Sequence, residues 1–179
     1  CKGTKKLMNL LDDIRQLAPS ATQTDEHIRF FAIFVLLCTQ KESDMVRVNQ
    51  NSAYKERNIA FLEEYAQREG VKILFNGVMY REITKGKGDK PTPKAMITVH
   101  YTGKLINGKV FDSTQQGRPA TFKLNQLIDG WRTALKEMPV GSRWEIVIPF
   151  NLGYGAKGAG EIKPFSTLIF DVRLLAIER

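Results

Sequence analysis

Ile97-Thr98-Val99-His100-Tyr101-Thr102-Gly103-Lys104-Leu105-Ile106-Asn107-Gly108-Lys109-Val110-Phe111-Asp112-Ser113 is the stretch on which the fold turns. Ile97, Val99 and Tyr101 alternate with Thr98 and His100, the period-two pattern of a strand with one buried face. Asn107-Gly108 sits between Lys104-Leu105-Ile106 and Lys109-Val110-Phe111, the strongest short-range hairpin signal that a sequence offers. The segment therefore predicts two antiparallel strands joined by a tight turn.

Downstream, Leu127, Ile128, Trp131 and Leu135 share one face of a short helix, with Asn125 as its expected cap. Trp144, Ile146 and Ile148 alternate with Arg143, Glu145 and Val147 in another strand, which Pro149 stops. Residues 150–165 form a Gly-rich loop, and Leu168, Phe170, Val172 and Leu174 make the inner face of a last strand. Strand, hairpin, short helix, strand, long loop, strand is an α+β order: an antiparallel sheet packed on one helix. Gly153-Tyr154-Gly155-Ala156-Lys157-Gly158 satisfies the GxGxxG spacing of dinucleotide sites, but no helix pattern follows it and Pro164 blocks a late start. Nucleotide binding is rejected on that ground.

Upstream the period is helical. Ile59, Leu62, Tyr65 and Ala66 recur at three- and four-residue spacing within 53–69, with Gly70 as the residue that ends the helix. Its apolar stripe needs a partner, either the domain that follows or a second copy of itself. Lys85-Gly86-Lys87-Gly88-Asp89-Lys90-Pro91 reads as a surface turn. A further amphipathic helix is expected over 4–18 through Leu7, Leu10, Leu11, Ile14 and Leu17, ended by Pro19.

Residues 30–38, Phe-Phe-Ala-Ile-Phe-Val-Leu-Leu-Cys, are the most apolar run, far short of the roughly 20 residues that a spanning helix takes. Two readings of it stand side by side. An apolar core ending in Cys38 and followed by a polar tether resembles a bacterial lipoprotein signal, with Cys38 the lipid-bearing residue. Against this, Asp25 and Glu26 occupy the place of a basic n-region, and the same run suits a buried helix with Cys38 as a small core residue. In the second reading Cys1 becomes the rival lipidation site. The chain accordingly divides into an upstream or helical segment over 1–27, a lipoprotein signal and tether or a buried helix over 28–44, a linking helix over 45–76, and an α+β domain over 77–179.

A length of 179 residues suits one domain with an appendage, or two small domains. The net charge of +8 would permit an anionic partner, but the basic residues are scattered among acidic ones, so nucleic-acid binding is not expected. Cys1 and Cys38 lie far apart, and His27 and His100 are the only histidines, so neither a disulfide framework nor a metal site is indicated. No cofactor is expected.

Six blocks then carry a resemblance: Val99-His100-Tyr101-Thr102-Gly103, Gly108-Lys109-Val110-Phe111-Asp112-Ser113, Ile128-Asp129-Gly130-Trp131, Ile148-Pro149, Leu152-Gly153-Tyr154-Gly155, and Ile162-Lys163-Pro164 leading into Thr167-Leu168-Ile169-Phe170-Asp171-Val172. In order and spacing, residues 77–179 resemble the FKBP-type peptidyl-prolyl cis–trans isomerases, and the helical segment before them resembles the FkpA and macrophage-infectivity-potentiator branch. The resemblance implies an antiparallel twisted sheet wrapped around a short helix, and rotation about Xaa-Pro bonds as the activity. It assigns Trp131 to the floor of the site and Tyr101, Phe111, Phe122 and Phe170 to its walls. Leu127, Ile128 and Ile162 complete the lining, with the Ile128 N–H donating to a ligand carbonyl. Tyr154 offers its hydroxyl from the loop, and Asp112 is the polar residue at the edge, hydrogen-bonded to Tyr101.

The partners so implied are proline-containing polypeptide clients and macrolide inhibitors, with a lipid anchor and a homodimer through the N-terminal helices. The implied setting is the bacterial periplasm or outer membrane, with the cytoplasm as alternative. Ala120, Glu161 and a loop 156–161 without histidine depart from some family members and bear on ligand preference. An FKBP-fold holdase chaperone, or a proline-peptide binding module with little turnover, is the rival function.

The chemistry agrees with that inventory. Turning a peptide bond means breaking amide resonance, a barrier of about 18–20 kcal/mol, while the two Xaa-Pro isomers lie close in energy. No bond is made or cleaved, so no nucleophile or base is required. A dry aromatic pocket favours the twisted, less polar amide, and a millionfold acceleration asks about 8 kcal/mol of such preference.

Overall fold

A computed structural model of the protein describes residues 50–114 and 118–178, all within the compact unit that begins at Asn49. The expected helix over 4–18, the apolar run 30–38 and both cysteines lie outside the described residues.

The alternating segment becomes β3 (Met96–Leu105), the strand around which the sheet is organised. Along its full length it pairs antiparallel with β7 (Leu168–Glu178), Leu105 opposite Leu168 and Met96 opposite Glu178. Its other edge is shared: Met96–Val99 pair with β5 (Ala120–Lys123), and Thr102–Lys104 pair with β4 (Val110–Ser113). The Asn107-Gly108 turn joins β3 to β4, with Gly108 at φ 82° and the Asn107 side chain accepting from Lys109 N–H at 3.0 Å. Beyond β7 follow β6 (Arg143–Ile148), β2 (Met79–Thr84) and β1 (Val71–Ile73), all antiparallel.

One face of this sheet takes the short helix. That helix, α2 (Asp129–Glu137), buries Trp131, Ala134 and Leu135 against Ile97, Val99, Ile146, Ile148, Leu168, Phe170 and Val172. A fully buried Leu or Phe contributes about 1.5–3 kcal/mol relative to exposure, so this layer dominates the packing energy. The helix can lie close to β6 because residue 130 has no side chain: a Cβ there would run into all the branches of Ile148. Its start differs from expectation. Asn125 falls in a 3-10 turn, Leu124–Gln126, and the helix begins beyond Ile128 without a side-chain cap, its first turn tied instead by the Asp129–Arg132 ion pair at 2.9 Å.

The opposite face is covered in part by α1, which runs over residues 50–66. Phe61, Leu62, Tyr65 and Ala66 pack on Met79, Val147 and Ile169. Three residues of the expected stripe, Leu62, Tyr65 and Ala66, thus face the sheet, whereas Ile59 is 38% exposed and fully buried Asn58 faces inward in its place. Val147, which alternation places on an outer face, is likewise fully buried beneath this helix. The helix also stops before 69, and residues 71–73, expected within the linking helix, are strand β1. In the Lys85–Pro91 turn Gly86 is buried rather than exposed, its N–H donating to Ser142 Oγ at 2.9 Å. No helix among the described residues is long and apolar enough to cross a membrane.

Candidate functional site

Between the N-terminal end of α2 and the sheet lies a cavity of about 360 Å³, lined by Tyr101, Phe111, Asp112, Phe122, Gln126, Leu127, Ile128, Trp131, Tyr154 and Phe170. Every strand bordering β3 contributes. Tyr101 comes from β3, Phe111 and Asp112 from β4, Phe122 from β5 and Phe170 from β7. The resemblance-derived set is thus brought together except for Ile162, which is 7% exposed, belongs to the same buried cluster as Trp131 and Phe170, and is not among the lining residues. Its backbone bridges back to Ala159 and closes a turn of the loop.

Trp131 is 4% exposed and stands at the centre of an edge-to-face cage. Its ring meets Tyr101 at 5.2 Å and 88°, Phe170 at 5.2 Å and 86°, and Phe122 at 6.3 Å and 89°. Phe111 closes on Phe170 at 5.6 Å and 87°. Such T-shaped contacts are favoured by the ring quadrupoles and fix the rings relative to one another. Gly103 makes the last pair attainable, because a Cβ there would come within 2.7 Å of both Phe111 and Phe170.

The polar edge is narrow. Tyr101 donates its hydroxyl to Asp112 Oδ2 at 2.6 Å, a short charge-assisted bond. Burial, followed by that hydrogen bond and the carboxylate's charge, holds the Tyr101 phenol well above its ordinary value, so it remains a protonated donor. Asp112 is therefore engaged with its neighbour across the site, rather than merely ending a strand. Tyr154 is 38% exposed and reaches the cavity from the loop after β6. Ile128 precedes α2 in an extended conformation (φ −58°, ψ 152°), and no backbone carbonyl among the described residues accepts its N–H.

Two participants escaped the sequence reading. Gln126 adds an amide to the rim. Thr114 acts at the fork where β3 exchanges β5 for β4: its Oγ1 lies 3.1 Å from Tyr101 N–H, and its own N–H donates to the Tyr101 carbonyl at 3.0 Å. A polar residue just after a strand carries no signal of this kind, since the need arises only from the forked pairing. Glu161, by contrast, does not line the cavity; it is paired with Lys109 at 3.1 Å on the surface. Ala120 pairs with Val99 in β5 and is also outside the lining. The GxGxxG segment forms turns, with no α-helix between β6 and β7. Among the described residues no cluster of His, Cys, Asp and Glu could hold a metal ion.

Known proteins match this arrangement. Residues 87–175 match the family described as FKBP-type peptidyl-prolyl cis-trans isomerase. The FKBP-type 22 kDa peptidyl-prolyl cis-trans isomerase of Escherichia coli K12 is 48% identical over 139 residues, covering 76% of this chain and 68% of that protein. The outer membrane protein MIP of Legionella longbeachae is 43% identical over 127 residues, 70% of this chain and 54% of that protein. The chain thus spans about half to two thirds of the length of these relatives. The crystal structure of FkpA from Escherichia coli is similar with a TM-score of 0.69 at 30% identity, over 98% of this chain and 82% of that one. With an aromatic cage on a forked antiparallel sheet, and relatives this similar over most of this chain, the chain belongs to the FKBP-type peptidyl-prolyl cis–trans isomerases.

Proposed function

We propose that the protein is a peptidyl-prolyl cis–trans isomerase that assists the folding of proline-containing polypeptides in the bacterial envelope. The observation that carries the reading is the cage around Trp131, apolar on nearly every side and provided with one short polar edge at Tyr101 and Asp112. A prolyl ring seated on the Trp131 face leaves water behind. The planar amide, with its larger dipole, loses more by that transfer than the twisted one, so the barrier falls. In this reading the Ile128 N–H and the Tyr154 hydroxyl donate to carbonyls flanking the proline, and the Tyr101–Asp112 pair holds the wall in position. Macrolides would occupy the same cavity. The envelope setting rests on the name of the MIP relative, an outer membrane protein.

A proline-isomerisation assay on short Xaa-Pro peptides tests this. The wild type is expected to accelerate exchange, with Tyr154→Phe lowering kcat/KM by about tenfold through the loss of one hydrogen bond to the transition state, and Asp112→Ala by about as much through release of the Tyr101 wall that it holds. An inactive wild type that still suppresses client aggregation would replace the enzyme by the holdase.

A further inference from the structure

The seam between α1 and the loop 150–167 contains a buried polar lock that the catalytic reading leaves unexplained. Asn58 is fully buried and faces fully buried Thr167. Its Oδ1 accepts the Thr167 N–H at 2.7 Å, its backbone carbonyl accepts the Thr167 hydroxyl at 3.3 Å, and its Nδ2 donates to the Tyr54 carbonyl at 2.9 Å. One turn earlier the Tyr54 hydroxyl meets Ser166 Oγ at 2.9 Å, and Ser166 in turn donates to the Lys163 carbonyl at 2.7 Å. Lys55 lies 5.1 Å over the ring of Phe165 and 5.8 Å over that of Phe150. An asparagine turned into an otherwise apolar seam costs free energy unless every polar group is matched. Here the side-chain oxygen and the backbone carbonyl are matched by Thr167, and the side-chain nitrogen by the Tyr54 carbonyl one turn back in α1.

That segment leads directly to the site. Phe165, next to the lock, is the only non-glycine residue at positive φ among the described residues, 61°. A bulky side chain takes that conformation only when its surroundings hold it there. Its N–H donates to the Gly155 carbonyl at 2.9 Å, and the Gly155 N–H donates to the Phe150 carbonyl at 2.8 Å. Gly155 is the residue after Tyr154, so the short backbone stretch 165–167 and the single Phe165–Gly155 hydrogen bond join the Asn58–Thr167 lock to the residue that enters the cavity from the loop, and the Gly155–Phe150 bond fixes the same turn to the loop's start.

We infer that Asn58 is a positioning residue for the isomerase site: it fixes the loop 150–167 on α1 and so holds Tyr154 over the cavity. The inference rests on the proposed role of Tyr154. Helix α1 thereby becomes part of the enzyme's working structure, and a displacement of α1 along the sheet is communicated to the site through this lock.

The test is a double-mutant cycle on the full chain, combined with hydrogen exchange. Asn58→Ala is expected to lower kcat/KM on an Xaa-Pro peptide by about tenfold, mainly through kcat, and by less than about twofold when Tyr154→Phe is already present. The amides of Gly155 and Phe165 should exchange about tenfold faster in Asn58→Ala, and those of Ile146 and Phe170 at the wild-type rate. Equal losses in the two Tyr154 backgrounds, or unchanged exchange at Gly155 and Phe165, overturn the inference. If Asn58→Ala does not fold, Thr167→Val, which removes only the hydroxyl bond, carries the same two readouts in the same direction. A wild type without isomerase activity would overturn the proposed function alone, and the exchange rates would still decide whether Asn58 holds the loop.

Discussion

At the residue scale, two tryptophans in one small domain have opposite fates. Trp131 faces the cavity in a cage of three rings, whereas Trp144 is 3% exposed and stacks on Tyr80 at 4.0 Å and 16°, on the sheet away from the cavity lining. Binding of a proline peptide should therefore change the emission of Trp131 alone. A titration followed by fluorescence is expected to keep its full amplitude in Trp144→Phe and to lose it in Trp131→Phe; an amplitude that follows Trp144 places the ligand elsewhere. Glu161 gives the complementary case. Its carboxylate is 67% exposed and pairs with Lys109 outside the cavity lining. Exposed pairs contribute about 0–1 kcal/mol, so Glu161→Ala should leave kcat/KM within about twofold of wild type. Such roles were only partly legible. Trp131, Asp112 and Tyr154 stood out through the resemblance, but nothing in the chain's periodicity separates Trp131 from Trp144, both of which sit on apolar faces. Ile162 was assigned to the lining by the resemblance; its side chain belongs to the buried core cluster with Trp131 and Phe170 and is not among the residues that line the cavity.

At the scale of elements, the legible parts are those whose pattern is local. The β3–β4 hairpin announces itself through Asn107-Gly108, and β7 through Leu168, Phe170, Val172 and Leu174, which are all buried. Strand β1 escaped because it is three residues long with none buried, and β2 because it lies under two different constraints at once. Met79 is buried by α1 on one face of the sheet while Tyr80 packs with the core on the other, so no clean alternation survives. The same two-sided burial disguises Val147. Helix α2 illustrates what the fold demands of a single position. Residue 130 touches Ile148 so closely that a methyl group must displace a buried branched side chain from β6. Gly130→Ala gains up to about 1 kcal/mol of helix propensity and loses about 1–3 kcal/mol to overpacking. Chemical denaturation should show a net loss of about 1–2 kcal/mol. Because Trp131 is the next residue, peptide affinity should fall with it. A variant as stable as wild type would mean that α2 has room to retreat.

The sheet is the common wall of two apolar layers, and each layer contains a tyrosine whose hydroxyl is held by a carboxylate. On the α2 side this is Tyr101 with Asp112 at 2.6 Å; on the α1 side it is Tyr65 with Glu145 at 2.8 Å. Burial, then the hydrogen bond and charge of the carboxylate, pushes both phenols well above their ordinary value of 10.0. The sign of the linkage follows from the raised values. Below pH 10 the phenols are protonated in the folded and unfolded chain alike, and their contribution to stability is fully present. Above it the unfolded chain releases protons that the folded chain retains, so stability falls as pH rises toward the folded-state values. If the two layers unfold together with the sheet between them, both phenols contribute to one transition, and each should add about one proton to its pH dependence above pH 10. Tyr65→Phe and Tyr101→Phe should then each remove about one proton from that slope, and the double variant about two, when denaturant midpoints are followed from pH 9 to 12. Two separate transitions, one sensitive to Tyr65 and the other to Tyr101, would show instead that α1 leaves the sheet independently. In that event the helix and the isomerase cavity would be two cooperative units joined by the Asn58–Thr167 lock rather than by a shared core.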